Sequence, residues 1–237
     1  MIQKIGLEVE GFFVKNGKVL MPPAECGRDG SEALIEVRTD PCSDKFSLFT
    51  SLARNIERER EIASENGGRF IIGPVGIMAA DEYRRCQKRI SDSGTKELHG
   101  ANAFSVFGGE SYRNTVFDTK SASWQLLAAT HINVSRDVVV VADGPTCEKC
   151  GKVQRTSMKS ESVLPLSWVT QYYTNLSSRL APLCDISGRM VRKKPFGIEL
   201  RSISSPKQSS LNAIMRLCSL VFECMPEDGN IEQPKGE

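Results

Sequence analysis

Residues 5–10 read IGLEVE, and this alternation of apolar and acidic side chains decides the fold class. Side chains two positions apart lie on the same face of a β-strand. Leu7 and Val9 are therefore expected to pack against a core. Glu8 and Glu10 then share the opposite face, so the first element of the chain brings two carboxylates together.

The rest of the chain alternates between strand and helix patterns, which predicts an α+β fold. We expect an antiparallel sheet with helices packed on one face, in a single domain at residues 1–225 with a disordered tail at 226–237. Helices are predicted at residues 80–90, 165–180 and 209–224, with a longer one that Ser43 or Asp44 caps and that ends at Asn66-Gly67. Further strands are predicted at residues 18–21, 33–39, 69–75, 123–135, 137–142 and 197–203.

The long helix after Pro41 is predicted to be amphipathic. Its apolar stripe is expected to consist of Phe46, Phe49, Ala53, Ile56 and Ala63. The charged residues between them are typical of a solvated face and are Arg54, Glu57, Arg58, Glu59 and Glu61.

Composition excludes several classes of protein. The 237-residue chain has a formal net charge of +2 and 40% hydrophobic residues, which is enough to bury a core. Its balanced charge lacks the field of a general nucleic-acid binder, so nucleic acid is not expected as a partner. No apolar run reaches the roughly 18–20 residues of a membrane span, and the N-terminus lacks a signal-peptide pattern. We expect a cytoplasmic protein that does not enter membranes, and the sequence does not indicate its oligomeric state.

The eight cysteines mostly stand alone among apolar residues, as Cys86 and Cys218 do. This is typical of reduced, buried thiols rather than of a disulfide framework. Cys147 and Cys150 form a C-x-x-C-G turn, in which two thiolates can hold a metal. A structural Zn²⁺ needs four ligands and this turn supplies two. We therefore expect reduced thiols there, with zinc as the less favoured alternative.

Four predicted strands each carry a polar pair at positions i and i+2, so each pair shares one face of its strand. A solvated sheet face carries such pairs as well. Carboxylates that converge repel one another, however, and a divalent cation relieves that repulsion. Mg²⁺ and Mn²⁺ prefer carboxylate oxygens and accept an imidazole. The pairs are Glu8/Glu10, Glu36/Arg38, His131/Asn133 and Glu199/Arg201.

Taken in order, these elements resemble the glutamine synthetase and glutamate–cysteine ligase superfamily, especially its small carboxylate–amine ligases, many of them encoded by bacteriophages and bacterial gene clusters. The family's N-terminal E-x-E strand is similar to GLEVE at residues 6–10. Its D-G-S element and its acid before T-x-P are similar to residues 29–31 and 36–41. Its histidine-bearing strand and its E-x-R element are similar to residues 131–134 and 199–201.

The resemblance implies a glutamine-synthetase-like catalytic domain that uses ATP and Mg²⁺ or Mn²⁺. One metal would be held by Glu10 and Glu36 near the acceptor carboxylate. The other, near the ATP phosphates, would be held by Glu8, His131 and Glu199.

The resemblance also implies roles for residues that do not bind metal. Arg201 would neutralise the transferring phosphoryl group beside Glu199, and Asn133, which replaces the second family histidine, would contact the nucleotide together with Ser135. Arg38 would bind a substrate carboxylate, with a salt bridge to Glu8 or Glu36 as the alternative.

The activity that the resemblance implies is amide formation through an acyl phosphate, from ATP, a small-molecule or peptide carboxylate, and an amine. Two other functions remain open on the sequence. The first is a noncatalytic module of the same fold that binds a nucleotide or an acidic peptide, and the second is a phosphotransferase of that fold. The identity of the acid and the amine is not encoded in any motif.

Overall fold

The computed structural model describes residues 4–28, 33–93, 103–105, 115–135, 166–194 and 197–226. Four sequence predictions lie outside these residues. They are the D-G-S element at 29–31, the strand at 137–142, the turn of Cys147 and Cys150, and the tail after residue 226.

Eleven strands and four helices occur in the described residues. The strands are β1 (Lys4–Lys15), β2 (Lys18–Leu20), β3 (Ile35–Arg38), β4 (Arg69–Ile72), β5 (Val75–Ala79), β6 (Ala103–Ser105), β7 (Thr115–Asp118), β8 (Ser123–Leu127), β9 (Ala129–Ser135), β10 (Ile186–Lys194) and β11 (Gly197–Ser204). The helices are α1 (Lys45–Glu65), α2 (Ala80–Ser93), α3 (Leu166–Leu180) and α4 (Leu211–Glu223). No described helix combines the length and the apolar character that crossing a bilayer requires.

The strands form one sheet in the order β6-β10-β11-β9-β1-β2-β5-β8-β7, and β3 and β4 also pair with β1. These pairs are antiparallel except for β2 and β5, which are parallel. The predicted α+β class and antiparallel sheet are confirmed. Because β1 pairs with four strands, it places the side chains of residues 4–15 at the centre of the sheet.

The turn after β1 has the geometry that its sequence predicts. Asn16 and Gly17 have φ angles of 51° and 73°, which fit a two-residue hairpin turn whose twist matches that of the strands. Lys15 is the partner of Lys18 across this turn. The turn therefore fixes the register of the β1–β2 hairpin.

The main core lies on the face of β1 that carries Ile5, Leu7 and Val9. Residues of α1, α3 and α4 pack against it, which agrees with helices on one face of the sheet. The helix residues in this core include Leu48, Leu52, Ile56, Tyr172, Tyr173, Leu176, Ile214, Leu217 and Val221.

The second helix departs from the predicted arrangement. Phe12 is one residue out of phase with the core face of β1, and it belongs to a smaller cluster with Met78, Cys86 and Leu126. Cys86 lies on α2, so α2 packs in this second cluster rather than with the other three helices. The prediction that all helices share one face is wrong for α2. The outer strands β5 and β8 contribute Met78 and Leu126 to the second cluster, and α2 packs there through Cys86.

Residues 123–135 form two strands where one was predicted. At the break, the backbone N–H of Ala128 donates to the carbonyl of Pro74 at 3.0 Å. Leu126 belongs to the second cluster, whereas Val134 belongs to the main core. The apolar side chains of this segment are therefore divided between two cores, since β8 pairs with β5 and β9 pairs with β1.

The caps of α1 agree with the sequence prediction. The Asp44 carboxylate accepts hydrogen bonds from the backbone N–H groups of Phe46 and Ser47, both at 2.9 Å. The Ser47 hydroxyl also donates to it, and this bond lowers the pKa of Asp44. The helix ends at Glu65 with Asn66 as its C-cap, and Gly67 follows with a φ of 72°.

The buried stripe of α1 differs from the predicted one. Phe46 is 68% exposed, whereas Leu48 and Leu52 are fully buried. Glu59, which was predicted to be solvated, is buried and accepts a hydrogen bond from Gly27 N–H at 3.1 Å. Glu59 lies one helical turn from both Ile56 and Ala63 and so shares their buried face, and the hydrogen bond from Gly27 offsets the cost of burying its carboxylate.

Burial keeps several thiols protonated. The six cysteines in the described residues are buried and free, in agreement with the expectation of reduced thiols. Burial raises the pKa of Cys184 and of Cys218 from 9.0 to about 12. Burial and the adjacent Glu59 carboxylate raise the pKa of Cys26 to about 12.

The raised pKa values of these thiols predict that the protein loses stability at alkaline pH. Below pH 9 the folded and unfolded chains are equally protonated at these sites, so their contribution to stability is fully present. Between pH 9 and 12 only the unfolded chain ionises, so each thiol should lower the free energy of unfolding by about 1.4 kcal/mol per pH unit. Urea titrations of wild type and Cys218→Ala across this range measure the effect. A pH slope that the substitution leaves unchanged would contradict this assignment.

Candidate functional site

Four adjacent strands carry the polar pairs predicted from the sequence. In the order β3-β1-β9-β11, Glu36 lies opposite Glu10 and Arg38 opposite Glu8. Glu8 in turn lies opposite His131 on β9. These side chains are on the face of β1 that turns away from the helical core, because Glu8 and Glu10 are out of phase with Leu7 and Val9.

Three of these residues form a compact group. The Nδ1 atom of His131 lies 3.3 Å from Oε2 of Glu8 and 3.5 Å from Oε1 of Glu199. One ligand atom of each residue lies within 4.8 Å of the others. His131 and Glu199 are buried, with 3% and 1% exposure. Two carboxylates and one imidazole are thus held together where water has little access.

The donor set of this group fits a divalent cation. Carboxylate oxygens with one imidazole nitrogen suit Mg²⁺ and, better, Mn²⁺. Ligands on opposite sides of Mg²⁺ lie about 4.2 Å apart. Atoms within 4.8 Å therefore need only a small inward movement. Such an ion would have Glu8, His131 and Glu199 as its protein ligands.

The positively charged side chain of Arg201 lies directly beside this group. The Nη1 atom of Arg201 is 3.2 Å from Oε1 of Glu199, and the Arg201 side chain keeps 19% of its surface exposed. The guanidinium therefore lies at the mouth of a buried carboxylate site. A fixed positive charge there favours an anionic ligand such as a phosphate.

The other predicted metal ligands lie at the far side of Glu8. The Glu10 carboxylate is buried and accepts a hydrogen bond from Ala129 N–H at 2.7 Å. Glu36 is buried too and forms an ion pair with Arg38. Glu10 and Glu36 are direct register partners, but neither belongs to the group of three around His131.

Arg38 forms the salt bridge to Glu36 that the sequence offers as the alternative to substrate binding. Its guanidinium bonds the Glu36 carboxylate, two residues earlier on the same strand. About half of the Arg38 side chain is exposed. The residue therefore stands at the open edge of the site.

The opposite end of the site carries small polar groups. The side-chain amide of Asn133 donates to Oε1 of Glu8 at 3.2 Å. The Ser135 hydroxyl is buried and bonds no group in the described part of the chain, and the same holds for the amide oxygen of Asn133. Gly6 lies opposite Asn133 on β1, and it adds no side chain to this end of the site. A ligand that bonds Asn133 and Ser135 would satisfy both atoms.

Sequence reasoning did not identify the side chains that hold the main chain of the site in place through hydrogen bonds. The Thr39 hydroxyl accepts a hydrogen bond from Leu7 N–H at 2.8 Å. The Ser205 hydroxyl lies 2.6 Å from the carbonyl oxygen of Glu10 and 2.9 Å from that of Ala129. No periodicity marks such residues. They bond main-chain atoms that come close only after the sheet has formed.

Comparison of the chain with protein-family models, with curated proteins and with solved structures gave no match. What the protein does is therefore inferred from the arrangement of its own residues.

Proposed function

We propose that this protein is a carboxylate–amine ligase that depends on ATP and on Mg²⁺ or Mn²⁺. The observation that carries the proposal is the Glu8–His131–Glu199 group, whose ligand atoms lie within 4.8 Å of one another beside Arg201. Buried carboxylates at such distances repel each other, and a bound cation turns the same arrangement into a stable one.

The setting of the group supports phosphate chemistry in particular. A divalent ion at this position would bind phosphate oxygens and offset the charge that develops on them during phosphoryl transfer. Arg201 would bind the same transferring group from the side of Glu199. Asn133 and Ser135 offer polar atoms to the nucleotide, and both lie on the strand that carries His131.

Recognition of the acceptor is assigned to the other side of Glu8. Arg38 is half exposed there and its guanidinium suits a carboxylate. Glu10 and Glu36 lie face to face across β1 and β3, where they would hold a second cation near that carboxylate. The acceptor and the nucleotide would thus approach opposite ends of one sheet face.

The proposed reaction has two steps. An oxygen of the acceptor carboxylate attacks the γ-phosphorus of ATP, the bond to the β-phosphate oxygen breaks, and ADP leaves. The amine nitrogen then attacks the acyl carbon of the acyl phosphate, inorganic phosphate leaves, and the amine loses a proton to give an amide. The residues of the site act by position and charge, as phosphoryl transfer requires.

The first test is metal-dependent nucleotide binding. Calorimetry should show that ATP binds in the presence of Mg²⁺ or Mn²⁺ and that EDTA abolishes binding, because phosphates and clustered carboxylates repel without a cation. Equal ATP affinity in both conditions would contradict the proposal.

Turnover then separates the ligase from the other functions. Phosphate release from ATP should require both an acid and an amine when pooled candidates of each are screened. Release that is indifferent to the amine would favour the phosphotransferase. Metal-dependent ATP binding without any turnover would favour the noncatalytic module.

A further inference from the structure

The strand that carries Arg201 is irregular at that residue. Leu200 pairs with Ile132 of β9, but the next pair is Ile203 with Thr130. Two residues of β11 therefore stand opposite one residue of β9, which defines a β-bulge. Bulges interrupt the backbone ladder and change the direction of a side chain, and they occur often beside active sites.

A buried tyrosine hydroxyl fills the gap that this bulge leaves. The Arg201 backbone N–H donates to the Tyr173 hydroxyl at 3.0 Å, and that hydroxyl donates to the Arg201 carbonyl at 2.6 Å. One side chain thus satisfies both backbone groups of Arg201. Tyr173 is fully buried on α3, which is on the helical side of the sheet, whereas the Arg201 guanidinium meets Glu199.

We propose that Tyr173 is a positioning residue that holds Arg201 against Glu199 through the bulge. The inference rests on the proposed function only for its kinetic consequence, since the geometry it describes needs no substrate. A guanidinium acts on a transferring phosphoryl group only when its atoms are placed to within about an ångström. The bulge determines where the Arg201 side chain lies. The two hydrogen bonds of the Tyr173 hydroxyl hold the Arg201 backbone in the bulged conformation.

The adjacent tyrosine provides a matched control. Tyr172 is also fully buried on α3, and its hydroxyl also donates to a main-chain carbonyl, that of Val221 on α4. Val221 lies in the core under the sheet. Tyr172→Phe and Tyr173→Phe therefore remove the same group from the same helix at the same depth, and only the second acts on Arg201.

The kinetic test measures kcat and KM for each variant, alone and combined with Arg201→Lys. Tyr173→Phe should lower kcat on the order of 10²-fold, as misplacement of a catalytic group by about 1 Å does. Tyr172→Phe should keep nearly the wild-type kcat. Tyr173→Phe should have little further effect in the Arg201→Lys background, because the two residues act as one unit. Equal effects in both backgrounds would overturn the inference.

A measurement without substrate separates this inference from the proposed function. The Arg201 Nε–Hε resonance, identified by its loss in Arg201→Lys, should shift in Tyr173→Phe and stay in place in Tyr172→Phe. It should do so even if the wild type turns over no ATP. An unchanged resonance in folded Tyr173→Phe would overturn the inference. If that variant does not fold, 3-fluorotyrosine at position 173 keeps the hydroxyl with altered hydrogen-bond strength, and the same resonance decides.

Discussion

Arg201→Ala should abolish most turnover while the protein remains folded. An arginine that neutralises a transferring phosphoryl group contributes on the order of 10³–10⁵ in rate. Arg201 has the required position, since its guanidinium lies 3.2 Å from the carboxylate of Glu199 and remains partly open to a ligand. An arginine with only an exposed ion pair contributes at most about 1 kcal/mol to stability and nothing to turnover.

The control for this substitution is Arg179→Ala, which removes a partly exposed ion pair with Glu223 on the helical side of the molecule. It should leave turnover unchanged. Arg201→Lys adds a second comparison, because lysine keeps the charge but loses the planar fork of donors. Phosphate release, ATP affinity and thermal stability would be measured for all three. Near-normal turnover in folded Arg201→Ala would refute the proposed role of Arg201.

The sequence alone predicted which face of the sheet carries the site, because the two-residue repeat of a β-strand is strict. A strand repeats every two residues, so Glu8 fixes the side of Glu10, and His131 that of Asn133. The apolar neighbours of each pair show which side is buried. The pairing of the four strands did not follow from this rule, since it depends on contacts between segments far apart in the chain, such as the bond between Asn133 and Glu8, which are 125 residues apart.

Features that depend on tertiary structure were missed or misread. The break at Ala128 exists because β8 and β9 pair with different strands, and local alternation continues through it unchanged. Glu59 looked solvated because its partner, the backbone N–H of Gly27, is a main-chain group of a distant loop. No sequence pattern shows that the Tyr173 hydroxyl bonds the backbone of Arg201, because that contact forms only at the bulge in β11.

Glu199→Gln should nearly eliminate the stabilisation that a divalent cation gives the protein. Glu199 is almost completely buried and is one of the three proposed ligands of the group. A glutamine has nearly the same shape but carries no charge, so the cation loses a strong electrostatic partner. Loss of a residue that only supports a ligand weakens metal binding about 10–100-fold, so loss of a ligand itself should cost at least the upper value.

The expected shift is large enough to measure by thermal unfolding in Mn²⁺. At a Mn²⁺ concentration of 100 times Kd, binding stabilises the native state by about 2.7 kcal/mol, and a 100-fold weaker site leaves about 0.4 kcal/mol. Glu59→Gln is the matched control, since Glu59 is also a buried carboxylate but bonds the loop at Gly27, away from His131. It should respond to Mn²⁺ as the wild type does. If Glu199→Gln keeps the full Mn²⁺ response, the cation binds elsewhere, and if both variants lose it equally, the effect reflects general destabilisation rather than a ligand at residue 199.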